Sequence, residues 1–114
     1  MNKIWYLSTC DTCKRIIKEL DLKDRNFEFI DIRINIISKE ELEKIKTTLD
    51  CTYEDLFNKR SRKYTKGDFV SDMEFKEAIL KEYTFLKRPI IFYENKYFVG
   101  NSKKVTTELE RLLK

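Results

Sequence analysis

Cys10 and Cys13 are separated by two residues and lie where a predicted strand gives way to a predicted helix. The run Ile4–Leu7 consists of strand-forming apolar residues, Ser8–Thr9 are turn and helix-capping types, and Lys14–Leu20 has the apolar spacing of a helix. A cysteine at the start of a helix meets unpaired backbone N–H groups and the positive end of the helix dipole. Both stabilise a thiolate and lower the thiol pKa, which is what a nucleophilic cysteine needs. The pattern therefore predicts a redox-active dithiol.

The absence of histidine limits the chemistry that can operate beside these cysteines. Cys–His nucleophilic catalysis, a Ser–His–Asp triad and histidine-containing zinc sites are all excluded. Three cysteines alone are a poor ligand set for zinc, so we expect no metal and no bound cofactor. Activation of Cys10 must come from the helix end and from cationic side chains. Cys51 follows the polar end of a predicted helix, belongs to no motif, and is interpreted as an incidental thiol.

The composition indicates a single domain spanning residues 1–114. With 41% hydrophobic and 39% charged residues, the chain can form a core beneath a heavily charged surface. No apolar run approaches the ~18 residues of a membrane span, and the N-terminus lacks the pattern of a signal peptide. We therefore expect a cytoplasmic protein without membrane contact. A net charge of +4 permits anionic ligands but does not indicate direct nucleic-acid binding.

The outer elements of the chain follow from alternation and turn residues. Residues Phe27–Ile32 alternate as a second strand, which completes a parallel, right-handed β-α-β unit with the first strand and helix. Pro89–Tyr93 and Lys96–Val99 flank the turn pair Glu94-Asn95 and predict an antiparallel hairpin. A last helix begins after Gly100–Ser102. Its predicted buried stripe consists of Val105, Leu109, Leu112 and Leu113.

A helical insertion is predicted between these two halves, over roughly residues 38–84. Ser38–Glu41 has the spacing of a capping box and opens a helix whose predicted buried face consists of Leu42, Ile45 and Leu49. Tyr53–Phe57 and Phe69–Tyr83 are predicted as further helices, and the basic stretch Lys59–Lys66 lies between them. The order β-α-β, helical insertion, β-β-α is the arrangement of a thioredoxin-like α/β fold with a small mixed sheet.

Four features occur in an order and spacing that resemble the ArsC/Spx family of thioredoxin-fold proteins. They are the Cys10–Cys13 pair, the basic stretch with Arg60-Ser61, the run Arg88-Pro89-Ile90, and the hairpin that ends in Val99-Gly100. The resemblance covers essentially the whole chain and implies an ArsC-like fold. The family contains glutaredoxin-coupled arsenate reductases, uncharacterised reductase-like members and the Spx transcriptional regulators.

The resemblance implies a role for each of these residues. Cys10 matches the nucleophilic cysteine of the family, and Cys13 occupies the position where Spx-like members carry their second cysteine. Arg88 and Arg60 match arginines that hold an oxyanion, and Pro89 matches the cis-proline that faces the cysteine. A planar guanidinium suits a tetrahedral oxyanion because it offers two parallel N–H donors.

Some alternatives remain open at the level of sequence. The basic stretch leaves room for Arg62 instead of Arg60 as the second anion ligand. Arsenate reductases present a third arginine after the hairpin glycine, where this chain has Asn101, and the Asn-Pro pair common before their cysteine is replaced by Ser8-Thr9.

Two function classes follow from the resemblance. One is a thiol-dependent oxidoreductase that uses Cys10 and Cys13 on an oxyanion or disulfide substrate, with glutathione and glutaredoxin, or thioredoxin, as external reductant. A general dithiol reductase with an unspecified client belongs to the same class. The other is an Spx-like redox switch that binds the C-terminal domain of the RNA polymerase α subunit. A monomer is expected in either case.

Overall fold

A computed structural model describes residues 2–114 of the protein. Within these residues, four strands and four α-helices alternate with turns and short 3-10 segments. The strands are β1 (Asn2–Tyr6), β2 (Phe27–Asp31), β3 (Ile90–Tyr93) and β4 (Lys96–Val99). The helices are α1 (Asp11–Glu19), α2 (Lys39–Leu49), α3 (Asp72–Lys81) and α4 (Lys103–Leu113). The 3-10 segments are Leu22–Asp24, Glu54–Leu56 and Tyr83–Phe85.

The four strands form one mixed sheet in the order β2-β1-β3-β4. The central strand β1 pairs parallel to β2 and antiparallel to β3, and β3 pairs antiparallel to β4. The register places Ile4 beside Phe29 and Ile91, and it places Tyr6 beside Asp31. The last residues of β1 and β2 therefore meet at one edge of the sheet. The predicted thioredoxin-like α/β fold is confirmed.

The chain divides into two compact units. The first comprises residues up to Arg33 and from Arg88 to Lys114, and it contains the sheet with α1 and α4. The second is Ile34–Lys87, which contains α2, α3 and two of the 3-10 segments. A single domain over 1–114, with its insertion at 38–84, stays a prediction.

The core of the first unit lies between the sheet and its two helices. Its buried members are Ile4, Ile16, Ile17, Leu20, Leu22, Ile91, Phe98, Leu109 and Leu113. The α1 members follow the spacing that predicted the helix. Helix α4 is capped by Ser102, whose side chain accepts a hydrogen bond from the Val105 N–H. The buried face predicted for α4 includes Leu112, but this residue is 40% exposed. The neighbouring Leu113 occupies the helix face that meets the core.

The predicted hairpin is confirmed. Glu94 and Asn95 connect β3 to β4 with φ values of 50° and 64°, as a two-residue turn of type I′ requires. At the other end of the hairpin, the Gly100 N–H donates to the Pro89 carbonyl at 2.9 Å. This bond holds the segment that precedes β3 against the segment that follows β4.

The second unit has its own core around an aromatic side chain. Phe57 is 1% exposed, and four rings have their centroids 4.9–5.7 Å from its own. These rings belong to Tyr64, Phe69, Phe75 and Phe85. Because Tyr64 belongs to the basic stretch 59–66, this stretch is attached to the core through its aromatic residue.

Helix boundaries in the second unit differ from those predicted. Helix α3 begins after Ser71, which forms a capping box with Glu74, and not at Phe69. The segment predicted as a helix over Tyr53–Phe57 is a single 3-10 turn at Glu54–Leu56. In α2 the cap at Ser38 is present, but Leu49 is 37% exposed and lies outside the buried face.

The longest α-helix in residues 2–114 has 11 residues. A membrane-spanning helix needs about 20 apolar residues. No helix in this part of the chain is long and apolar enough to cross a membrane.

Candidate active site

Cys10 occupies the N-cap position of α1, immediately after β1 and its connecting turn. Its own N–H donates to the Leu7 carbonyl at 3.0 Å, and its carbonyl accepts from the Lys14 N–H at 3.1 Å. The residue is half-buried. The backbone on both sides of the cysteine is therefore hydrogen-bonded, and the sulfur is held at the end of the helix where N–H groups are unpaired.

Hydrogen bonds to the sulfur lower the pKa of Cys10. Partial burial disfavours the thiolate, but interactions with the N–H and the thiol of Cys13, with the Arg88 side chain and with the Thr12 N–H favour it. The balance places the pKa of Cys10 below its ordinary value. The sequence predicted the helix end and cationic side chains as the causes, and the side chain of Arg88 is among those that lower this pKa.

Cys13 has the opposite electrostatic environment. Its side chain is 0% exposed, and burial raises the pKa of this thiol to about 12. A hydrogen bond from the Leu7 N–H opposes the shift, whereas the charge of a Cys10 thiolate adds to it. Cys10 is therefore the sulfur of the pair that ionises first, and Cys13 stays protonated beside it.

Arg88 and Pro89 join the site from the start of β3. Arg88 is half-buried, Pro89 is buried, and the peptide bond between them is cis. The guanidinium of Arg88 donates to the Cys10 sulfur. The structure thus brings together Cys10, Cys13 and the Arg88-Pro89 pair within the first unit.

Ser8 and Asp31 also belong to this site, and the sequence reasoning missed them. Burial disfavours the charge on Asp31, but hydrogen bonds from the Ser8 hydroxyl, the Arg33 N–H and the Ser8 N–H place its carboxyl pKa below the usual value. Ser8 lies two residues before Cys10, so Asp31 orders the turn that carries the nucleophile. The parallel pairing of Tyr6 with Asp31 brings the two residues together, and the sequence alone does not specify this pairing.

Arg60 and Arg62 lie in the second unit, and both are exposed. Between them Ser61 is buried, and its hydroxyl is 2.9 Å from the Thr84 hydroxyl. The Arg60 N–H donates to the Asn58 side chain at 3.2 Å. The two arginines therefore project from an anchored loop, and which of them serves an anion stays a prediction.

Cys51 has the environment of an unreactive thiol. Burial raises its pKa, and the nearby carboxylates of Asp55 and Asp72 raise it further. Among residues 2–114, no group of three or more acidic, cysteine or histidine side chains could hold a metal ion.

A family model described as the ArsC family matches residues 5–109, a span that includes the cysteine pair, Arg60, Arg88 and Pro89. The chain belongs to the ArsC family. A sequence search of curated proteins found no match.

Solved structures show the same fold over nearly the whole length of this ArsC-family protein. A Staphylococcus aureus protein determined by NMR is 27% identical, with a TM-score of 0.74 over 95% of this chain and 97% of that one. Arsenate reductase from Vibrio cholerae is 16% identical, with a TM-score of 0.76 over 96% and 95%. An arsenate reductase (ArsC) related protein from Brucella melitensis is 23% identical, with a TM-score of 0.68 over 90% and 88%.

Proposed function

We propose that this ArsC-family protein is a thiol-dependent reductase of the arsenate reductase type. Cys10 is the nucleophile, and Cys13 resolves the intermediate. The observation that carries the proposal is the contrast between two sulfurs one helical turn apart. The pKa of Cys10 is lowered by hydrogen bonds, whereas burial raises that of Cys13 to about 12. In such a pair one sulfur can attack the substrate as a thiolate, and the second sulfur stays protonated until the intermediate has formed.

In the first step the Cys10 thiolate attacks the arsenic of arsenate. A sulfur–arsenic bond forms, and an arsenic–oxygen bond breaks as the oxygen takes up protons and leaves as water. An anionic nucleophile and an anionic substrate repel each other, so a cation beside the sulfur is needed. Arg88 meets this need because its guanidinium already donates to Cys10 and can offer further N–H donors to the oxyanion.

In the second step Cys13 loses its proton and attacks the Cys10 sulfur. The sulfur–arsenic bond breaks with its electron pair going to arsenic, which leaves as arsenite. The two cysteines thereby supply two electrons and form a disulfide. Burial is the main cause of the raised Cys13 pKa, and the nearby charge of Arg88 opposes it, so Arg88 favours the loss of the Cys13 proton at this stage.

An external thiol then restores the pair by thiol–disulfide exchange. Glutathione with glutaredoxin, or thioredoxin, is the reductant class that we propose, acting in the cytoplasm. The same chemistry reduces a disulfide substrate if Cys10 attacks a sulfur–sulfur bond instead of arsenic. Arg60 is proposed as the second anion ligand, on the resemblance alone.

The test is arsenate-dependent oxidation of NADPH by the reduced protein. It is coupled in parallel to glutathione–glutaredoxin and to thioredoxin, with Cys10→Ser as the inactive variant and Cys51→Ser as the matched cysteine control. We expect turnover that disappears in Cys10→Ser and persists in Cys51→Ser. Turnover that persists without Cys10 would refute the proposal. In Cys13→Ser, we expect mass spectrometry to detect an adduct on Cys10 that does not resolve.

A second candidate function rests on Asn101, which is exposed and stands where arsenate reductases present an arginine. With one anion ligand fewer, the cysteine pair could serve as an Spx-like switch that controls binding to the RNA polymerase α subunit. This function predicts that the purified α C-terminal domain binds the reduced and disulfide forms with different affinity. Equal binding to both forms would exclude it.

A further inference from the structure

Strand β2 lies at an open edge of the sheet. Among residues 2–114, β2 pairs with β1 alone. The strands β1, β3 and β4 each contain two buried residues, whereas β2 contains none. Its large apolar residues Phe27, Phe29 and Ile30 are all half-buried. An edge strand of this kind can accept a further strand, and its half-exposed apolar side chains favour a partner that covers them.

The backbone groups of Phe29 and Asp31 point away from the sheet. The Ile32 N–H donates to the Tyr6 carbonyl at 2.9 Å, so Ile32 directs its N–H towards β1. Successive residues of a strand direct their N–H and carbonyl groups to opposite sides, and Asp31 and Phe29 therefore direct theirs away from β1. These are the groups to which an added strand would bond.

A cavity of about 910 Å³ lies beside this strand in the first unit. The rings of Phe29 of β2 and Tyr6 of β1 meet edge to face in its wall, with centroids 5.8 Å apart. Helix α1 contributes the buried Ile17 and continues this apolar surface. The cavity is thus a groove with an edge strand along one wall and a helix along another, a geometry in which an extended peptide can bind by strand addition.

The lysines around this groove favour a particular charge in the peptide. Lys14 and Lys18 lie one turn apart on α1, are exposed, and line the cavity. Neither forms an ion pair within residues 2–114. The segment after α1 adds charges of both signs, from Asp21, Lys23 and Asp24. A lysine on a helix surface is ordinarily just solvated, but these two border a groove at an open sheet edge, and the α1 wall therefore complements acidic side chains.

We propose that the groove between β2 and α1 is a docking site for an extended, acidic peptide segment of a partner protein, which joins the sheet as a further strand at β2. At every second position its side chains enter the groove. Apolar ones contact Tyr6 and Phe29, and acidic ones meet Lys14 and Lys18. A second copy of the chain fits less well, because pairing through its own β2 would bring another lysine-bearing α1 towards the same groove. Cys10 is not among the lining residues, and docking requires no reaction at the dithiol.

The probe is an acetylated and amidated peptide, Glu-Thr-Val-Thr-Val-Thr-Glu, which presents glutamate and valine on one face in either strand direction. It is titrated by NMR into the wild type, into Lys14→Glu/Lys18→Glu and into Lys103→Glu/Lys104→Glu. Lys103 and Lys104 are exposed lysines of α4 outside the cavity lining. We expect the dissociation constant to rise about tenfold in the first variant, about threefold for each exposed charge pair, and to stay unchanged in the second.

Three results of this titration would overturn the inference. They are no binding to the wild type at millimolar peptide, equal affinity for the wild type and Lys14→Glu/Lys18→Glu, and an equal loss of affinity in the α4 variant. The same peptide with lysine in place of glutamate should show the reverse order and bind Lys14→Glu/Lys18→Glu more tightly than the wild type. Because the titration involves no turnover, its outcome is independent of the proposed reductase activity.

Hydrogen exchange at the β2 amides tests the strand addition itself. In the free protein, the amides of Phe29 and Asp31 should exchange faster than those of Ile30 and Ile32, which face β1. Saturating peptide should slow exchange at Phe29 and Asp31 and leave β4, the other edge strand, unchanged. Peptide binding without this slowing would overturn the inference. Slow exchange at both amides in the free protein, together with a dimer mass in sedimentation, would assign the edge to a second copy and overturn it as well.

Discussion

Arg88→Ala should raise the pKa of Cys10. The side chain of Arg88 donates a hydrogen bond to the Cys10 sulfur, and this bond strengthens when the sulfur is a thiolate. A hydrogen bond to a charged group contributes about 1.5–3 kcal/mol. Because Cys10 is half-exposed, solvent screens the interaction and the lower end of this range applies. At 1.36 kcal/mol per pKa unit, the thiol pKa rises by about one unit.

The direction of the pKa change determines the pH range in which the variant should differ from the wild type. The folded protein holds the pKa of Cys10 below its ordinary value, so loss of Arg88 moves the ionisation towards higher pH. Below both pKa values the thiolate fraction falls about tenfold, and the alkylation rate falls with it. The rate of iodoacetamide modification is measured between pH 5 and 10 by mass spectrometry in a Cys51→Ser background, for the wild type, Arg88→Ala, Arg88→Lys and Arg111→Ala.

The other two variants distinguish an effect of the Arg88 side chain on Cys10 from a general effect of removing a positive charge. Arg88→Lys keeps the charge without the planar fork and should give an intermediate midpoint. Arg111 is an exposed arginine of α4, and its removal should leave the midpoint unchanged. A pH–rate profile of Arg88→Ala that coincides with the wild type would refute the assignment of Arg88 as a thiolate donor. So would an equal shift in Arg111→Ala.

Three further predictions concern the core, the remaining thiol and the loop of the second unit. Leu109→Ala should lower the free energy of unfolding in urea by about 2–5 kcal/mol because Leu109 is 1% exposed. Leu112→Ala, at a residue 40% exposed, should change this free energy by less than about 0.5 kcal/mol. Equal losses of stability in the two variants would contradict the packing described here. At pH 7, peptide mapping after brief alkylation should find Cys10 modified well before Cys51, whose pKa is raised by burial and carboxylates; the reverse order would contradict this assignment. Ser61→Ala removes the 2.9 Å hydrogen bond to Thr84 and should cost about 1 kcal/mol in the same urea experiment, whereas unchanged stability would show that the bond does not anchor the loop.

Elements with strong local signals were predictable from the sequence. Helix α1 and the hairpin turn depend on residues adjacent in the chain, so spacing and turn types suffice. The boundary of α3 was not predicted correctly because Phe69 and Val70 were read as part of a helical pattern. Ser71 caps the helix instead, and Val70 is left 86% exposed.

The candidate site, like the fold, was predictable where it depends on residues that are close together in the sequence. The helix-end position of Cys10 follows from neighbouring residues, and the family resemblance pointed to Arg88 before its hydrogen bond to the sulfur was seen. The bonds from Ser8 to Asp31 depend on the register between two strands, which the sequence does not specify. The raised pKa of Cys13 depends on complete burial, which depends on the packing of distant elements.

The complete burial of Cys13 has a kinetic consequence. Only one sulfur of the pair is accessible to solvent, so an oxidant and a reductant must both react at Cys10. The two cannot occupy that sulfur together, and each half-reaction must finish before the next begins. A reductase with this arrangement should give parallel lines in double-reciprocal plots, and a high concentration of either substrate should inhibit the enzyme by competing for the form that the other requires.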